Sequence, residues 1–380
     1  MLKITCLQEV LAHGLGHISS VVSARSTLVE SQDVLLQIAD GQLKASGTNV
    51  EEGLALSIKL SAQVEGEGAI AVPAKTLNEL IRILPKGEVV LEAFDEPLSL
   101  KVTTASGVTQ LLAHSSDNFP PLPTVDQSDF VTLPATQFAG VLSRTLRAVA
   151  TDNSRPILTG VKFDLEGGNY TLAAADGYRL AVDQGQLERA QKEIIGVVVP
   201  RKCLDSLKGL LEGGAKEVQF HITKDKRRAL FQLDGVELVT QILEGDFPDY
   251  NKLLPTSSST EVVIPVDKFA SAARMAAVIV NETTGTIRCR FTKKEGDGGG
   301  NLHLSSEADD IGNSDINIPV ELSGEEFNIA FNHRFLNDLI DSVEGDKLKL
   351  SASSPSNPGL FTTSSLDNFK HVIMPIFVHW

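Results

Sequence analysis

Apolar residues recur at three- and four-residue steps in six stretches of this chain, and each stretch predicts an amphipathic helix. Three of them are long: Leu7, Val10, Leu11, Gly14, Ile18 and Val21; Phe138, Val141, Leu142, Leu146 and Val149; and Phe269, Ala272, Ala273, Ala276 and Val280. Three are short and follow a fixed punctuation. Leu77, Leu80, Ile81 and Leu84 come after Val72-Pro73, and Leu204, Leu207, Leu210 and Leu211 after Val199-Pro200; Phe335, Leu339, Ile340 and Val343 come after Phe331-Asn332. Pro85-Lys86-Gly87, Gly213-Gly214 and Gly345-Asp346 stop the short ones. Runs at 34–38, 89–92, 161–165, 218–222 and 261–264 are β-branched or alternating, which predicts strands. Asp40-Gly41, Gly167-Gly168, Asp234-Gly235 and 296–301 supply turns between strands.

The order of these elements repeats. Pro73 and Pro200 open equivalent helices, and Phe119-Pro120, Phe247-Pro248 and Met374-Pro375 close equivalent blocks. The period is about 130 residues, far beyond the roughly 20–50 of a solenoid unit, and matches a whole domain. The reading is α+β: three tandem copies at 1–124, 125–256 and 257–380, each with two helices packed on antiparallel strands. Three copies of one shape place the function in the architecture rather than in one catalytic cleft.

Charge complicates the choice of partner. The chain carries 34 basic and 49 acidic residues, a formal net charge of −15, whereas DNA-binding proteins usually present a basic footprint. The signs are not mixed evenly, however. Acids gather in loops and strands such as Glu51-Glu52, Asp95-Glu96, Asp309-Asp310 and Glu325-Glu326, while arginines and lysines decorate the predicted helices. A basic inner surface beneath an acidic outer one is compatible with that distribution. Cys6, Cys203 and Cys289 are odd in number and widely spaced, which fits free thiols in a reducing cytoplasm. Gln8, Glu9 and His13 interrupt any signal-peptide core, and no stretch approaches the ~20 apolar residues of a membrane span.

Chemical motifs are sparse. There is no P-loop, GxSxG elbow or HExxH pair. Gly14-Leu15-Gly16 lies inside a helix pattern with no strand before it, and His13 and His17 supply only two ligands, so neither a cofactor nor a metal is expected. The string Ala175-Asp176-Gly177-Tyr178-Arg179-Leu180-Ala181 is the most distinctive. A hydrolase or transferase reading would use Asp176 as base, Tyr178 as acid and Arg179 as anion clamp, with His221; the plainer reading is a turn after a strand.

With Val199-Pro200-Arg201-Lys202, Glu244-Gly245-Asp246-Phe247-Pro248-Asp249-Tyr250 and Val372-Ile373-Met374-Pro375, that string resembles the bacterial sliding-clamp family, the β subunits of DNA polymerase III. The resemblance covers the full length. It implies a non-catalytic, head-to-tail homodimer ring of six domains that encircles duplex DNA without sequence preference. It also implies tethering of the polymerase III catalytic subunit, other polymerases and repair proteins through short peptides, and loading by a separate clamp loader.

The residues expected on DNA are Arg25, Lys75, Arg82, Arg144, Arg147, Arg155, Arg201 and Lys202: Arg25, Arg155, Arg201 and Lys202 match family positions, and the other four lie off the apolar stripes of predicted helices. Gly285 stands in the third copy where Arg25 and Arg155 stand in the others. The implied peptide pocket comprises Leu158, Gly177, Tyr178, Arg179, Leu180, Pro248, Lys252, Leu253, Asn332, Phe335, Val372, Ile373, Met374 and Pro375, with Arg179 and Lys252 at its rim. Tyr178 and Lys252 replace the His and Arg frequent in the family, and the tail at 377–380 is longer and more aromatic than usual. The implied dimer contact is an antiparallel sheet pairing Leu111 and Ala113 with Val278 and Ile279.

Overall fold

All six apolar stripes fold as helices: α1 (Gln8–Val21), α2 (Ala74–Ile83), α3 (Ala135–Thr145), α4 (Arg201–Leu211), α5 (Val266–Val280) and α6 (His333–Ile340). The structure, a computed structural model, describes residues 2–23, 29–123, 130–281, 283, 285–294, 299–343 and 345–380. The stripes are the buried faces: Leu11, Leu15, Ile18 and Val21 in α1, and Phe269, Ala272, Ala273, Ala276 and Val280 in α5. The ends of several stripes run past their helices, as with Leu84, Val149 and Val343. Leu7 ends the strand Lys3–Leu7 and is exposed, and Leu146 lies past the end of α3, where the chain tightens into a 3-10 turn. Prolines at 73, 200 and 265 sit just ahead of α2, α4 and α5, where an amide hydrogen has no intrahelical use.

The chain divides into two compact units, one of Met1–Ala139, Leu187–Arg189 and Val199–Leu243, the other of Gly140–Gln186, Ala190–Val198 and Glu244–Trp380. In the first unit a five-stranded sheet ends on the edge strand Gly107–Leu112. An eight-stranded sheet there is continuous across a repeat boundary, because Val236–Gln241 pairs with Leu54–Leu60 in the register Val236↔Ile58 to Thr240↔Leu54. In the second unit a ten-stranded sheet crosses the next boundary, where Arg179–Pro200 pairs with Leu366–Ile373. The ladders at both junctions are antiparallel.

A turn is expected at Gly167-Gly168, yet the strand Gly160–Ala175 runs through it. Gly167 takes a φ of +57° and the chain bends without leaving the sheet. All three cysteines are buried free thiols. Among the described residues no helix is long and apolar enough to cross a membrane, and no group of three or more side chains could hold a metal ion.

Candidate functional site

The junction in the second unit gathers an apolar cluster beside exposed apolar side chains, called the groove below, and strand alternation explains it. The ladder pairs Arg179 with Ile373, Leu180 with Val372, Ala181 with His371 and Val182 with Lys370. Successive strand residues point to opposite faces, so Leu180, Val182 and Val372 share one face. There they pack with Ala173 and Ala175 into a buried apolar floor, flanked by half-buried Phe247, Tyr250, Leu254 and Leu360. The Tyr250 hydroxyl donates to Asp164 Oδ2 at 2.9 Å, which fixes that wall. At the groove mouth Tyr178, Leu253 and Met374 stay open to solvent at 64%, 48% and 43% exposure, and Met374 N donates to Tyr178 O at 2.8 Å. Exposed apolar side chains over a buried apolar floor are what a ligand of extended apolar residues requires.

The turn leading into the groove is built by Asp176. Its Oδ1 accepts from the amides of Tyr178 (2.9 Å) and Arg179 (3.0 Å), and Gly177 takes a φ of +94°. A Cβ on Gly177 would collide with the Arg155 guanidinium, which donates to Asp176 O at 3.2 Å. Asp176 is therefore a turn former with both oxygens engaged. His221, the fourth member of the enzymatic alternative, belongs to the first unit, buried in its own strand against Phe130. Among the described residues, Asp176 is taken up by the turn and by Arg179, and Arg179 by Asp176 and Asp338.

Arg179 is the main correction to the expected pocket. It alternates with Leu180 and so leaves on the opposite face, where its side chain is 9% exposed. Its Nε binds Asp176 Oδ2 at 2.9 Å, its Nη1 binds Asp338 Oδ2, and its guanidinium lies 4.5 Å from the Phe335 ring centroid. Tyr178 stacks on that same Phe335 with centroids 6.4 Å apart. Ile373, expected in the groove, is on the Arg179 face and fully buried. Asn332 caps α6, its Oδ1 accepting from Arg334 N at 2.9 Å. Leu158 is buried in the 3-10 turn Pro156–Thr159; Pro248, Lys252 and Pro375 are partly or fully open, with Lys252 in an exposed pair with Asp249.

Behind the groove, Asp338 in α6 and Asp341 at its C-cap are two aspartates that the sequence reading missed. Asp338 receives Arg179 and Arg147 (3.6 Å), and Asp341 receives Arg147 (3.5 Å) and Arg274 (3.0 Å). An Asp-x-x-Asp pair on one polar helix face was the available signal. His371 lies on this side of the sheet, fully buried, with neither ring nitrogen hydrogen-bonded. Burial first, and the Arg179 charge second, push its pKa down to about 3, so the ring is neutral.

The expected DNA-facing cations do not stand alike, and Arg155 is exposed with its guanidinium on Asp176 O. Arg144 is contradicted: it is buried, and its Nε binds Asp183 Oδ2 at 2.5 Å. An arginine held by a buried carboxylate is not free to meet phosphate. Arg147 is committed to Asp338 and Asp341. Lys75 and Arg82 on α2 are exposed, and Arg201 and Lys202 at the start of α4 form only surface pairs, with Asp205 at 3.2 Å and Glu52 at 3.1 Å. Such pairs are worth about 0–1 kcal/mol and exchange readily for phosphate. Arg25 lies outside the described residues. For the dimer contact, Leu111 is in the edge strand Gly107–Leu112 and Ala113 follows it, but Val278 and Ile279 are in α5. Helical residues cannot extend a sheet ladder, so an antiparallel pairing through them is excluded.

Comparison with known proteins gives one answer. The N-terminal, central and C-terminal domains of the DNA polymerase III beta subunit match residues 2–134, 132–249 and 251–377. A beta sliding clamp of Synechococcus elongatus is 28% identical over 377 residues, 99% of both chains. The crystal structure of the Bacillus subtilis DNA polymerase sliding clamp superposes with a TM-score of 0.90 at 23% identity, over 100% of both chains. A Bartonella birtlesii sliding clamp, bound to griselimycin, gives 0.90 at 24% identity over 99% of this chain and 100% of that one.

Proposed function

This chain belongs to the DNA polymerase III beta subunit family, the non-catalytic sliding clamps, and we propose that it works as a cytoplasmic homodimer ring that encircles duplex DNA and tethers partners through the groove. The working domains are 1–124, 125–256 and 257–380. The observation that supports the tethering role is the buried floor of Leu180, Val182 and Val372 beneath exposed Tyr178, Leu253 and Met374. A short extended peptide with apolar side chains fits that arrangement, and polymerase III, its loader and repair proteins would compete for it. Arg179 serves by holding the wall from behind rather than by meeting the peptide.

The DNA path in this reading uses Lys75, Arg82, Arg201 and Lys202, with Arg25 and Arg155. The dimer brings the edge strand Gly107–Leu112, whose Val108 and Leu112 are exposed, against the face of α5 that carries exposed Val278. A head-to-tail contact of two different surfaces closes into a ring only if its rotation closes. Replacing Leu180 and Met374 together by Ala tests the tether, because buried anchors dominate small interfaces. Calorimetry should show loss of peptide capture, with dimer mass and loader-dependent retention on closed circular DNA intact. Full peptide affinity in the double variant would move the partner site elsewhere.

A further inference from the structure

The hairpin joining strands Glu217–Ile222 and Arg228–Leu233 in the first unit ends in Thr223-Lys224-Asp225-Lys226-Arg227-Arg228. Four cations stand within five positions of a chain whose acids outnumber its bases by 49 to 34. All four are exposed, and among the described residues none of them forms an ion pair with a carboxylate.

The tip is rigid. Thr223 N donates to Arg228 O at 3.0 Å, Lys226 N to Thr223 O at 2.8 Å, and Arg228 N to Thr223 Oγ1 at 3.0 Å. The single acid, Asp225, is used to hold the turn: its Oδ1 accepts from the Thr223 hydroxyl at 2.6 Å and from Arg227 N at 3.1 Å. Mutually repelling cations are thus fixed on a pre-formed turn with no internal counter-charge beyond that carboxylate.

The register shows where the tip lies. Arg228 pairs with Gln241, Gln241 N donates to Gly53 O at 3.0 Å, and Ile242 N donates to Arg227 O at 2.9 Å. Glu52, next to Gly53, holds Lys202. The tip, the turn before Leu54–Leu60 and the first residues of α4 therefore gather at one end of the eight-stranded sheet. The basic tip thus shares that end of the sheet with the start of α4, with Glu52 paired to Lys202 in the turn beside them.

We propose that residues 224–228 are an additional, sequence-independent contact for the phosphate backbone of DNA, acting beside Arg201 and Lys202. The proposal rests on the DNA reading above. Phosphate backbone fits better than an acidic peptide, because the tip exposes no apolar side chain: Ala229 is buried and Ile222 half-buried. Peptide interfaces depend on apolar or aromatic anchors, whereas a phosphate backbone needs only positioned charge.

Fluorescence anisotropy of a short labelled linear duplex, titrated over a range of salt, tests it with three variants. Lys224→Ala/Lys226→Ala/Arg227→Ala should lower the slope of log affinity against log salt by about 2–3, since each phosphate contact contributes roughly 0.9. The charge-keeping Lys224→Arg/Arg227→Lys should retain the parent slope; an equal loss there would make the effect structural and overturn the proposal. Arg201→Ala/Lys202→Ala separates the two readings. If it lowers the slope while the alanine tip variant does not, the tip is off the DNA path and the clamp reading stands. If neither changes the slope, the DNA reading of α4 fails together with the tip. Loss of binding to a poly-glutamate probe, with the DNA slope unchanged, would assign the tip to an acidic protein partner and overturn the proposal.

Discussion

Arg144→Met separates a side chain that grips a ligand from one that holds the protein together. The Arg144 and Asp183 side chains are 11% and 3% exposed, and the guanidinium lies 5.8 Å from the Phe369 ring centroid. Methionine keeps the apolar stem and deletes the charge. Asp183 then keeps the Gln184 amide at 2.8 Å but loses its guanidinium. Stranding one member of a buried pair costs about 3–5 kcal/mol.

Protonation relieves part of that cost. Burial already raises the Asp183 pKa against the pull of Arg144, and removing Arg144 raises it further. A carboxyl whose folded-state pKa exceeds its unfolded value of about 3.9 penalises folding as pH rises through the folded value. The deficit of Arg144→Met is therefore largest at neutral pH and shrinks as pH falls toward about 4. Urea unfolding followed by Trp380, the one tryptophan and part of the same unit, reads it directly. Adding Asp183→Leu should recover most of the loss, since an apolar replacement often matches a buried ion pair. A single variant within about 0.5 kcal/mol of the parent, combined with a DNA salt slope lowered by about one contact, would refute the reasoning and return Arg144 to the DNA path.

Burial pushes the Cys6 thiol up to about 11 and Cys289 to about 12, and raises Cys203 as well. A thiol-reactive dye should thus leave all three unmodified in the native protein and label all three in urea; native labelling would contradict their burial. His371 has a folded-state pKa of about 3 against about 6.5 unfolded, so its contribution is whole above the unfolded value and is lost as pH falls. His371→Phe should flatten the fall of the urea midpoint below about pH 6 by up to one proton, and an unchanged slope would mean the ring is not held neutral. Ile279→Asp should convert the dimer to monomer by light scattering at low concentration, and a persisting dimer would remove α5 from the interface.

Helices and repeats were legible in the sequence because each helix buries a stripe whose period is local. Leu11, Leu15 and Ile18, or Leu204, Leu207 and Leu211, need no knowledge of the rest of the chain. The groove floor was half legible. Leu180 and Val372 were named, but Ala173, Val182 and Leu360 were not, because a floor shared by several strands depends on register. Charged residues were the least legible. An arginine reads the same whether it faces phosphate or a buried carboxylate, and only the fold reveals that Arg144 meets Asp183 and Arg147 meets α6. The same blindness hid the two-sided role of the string around Arg179, where one residue faces the groove and the next faces away.

That alternation has a consequence for drift and for resistance to inhibitors. Leu180, Val182 and Val372 answer to whatever sits in the groove, while Arg179, Ala181 and His371 answer to an interior lattice of charges and rings. Under the proposed tethering role, a substitution on the first face would retune ligand choice at the expense of packing volume alone. One on the second face disturbs ion pairs that four segments of the chain share. Under the same proposed role, escape from a compound bound there would fall on every second residue of this strand, and on side chains of nearly the volume already there.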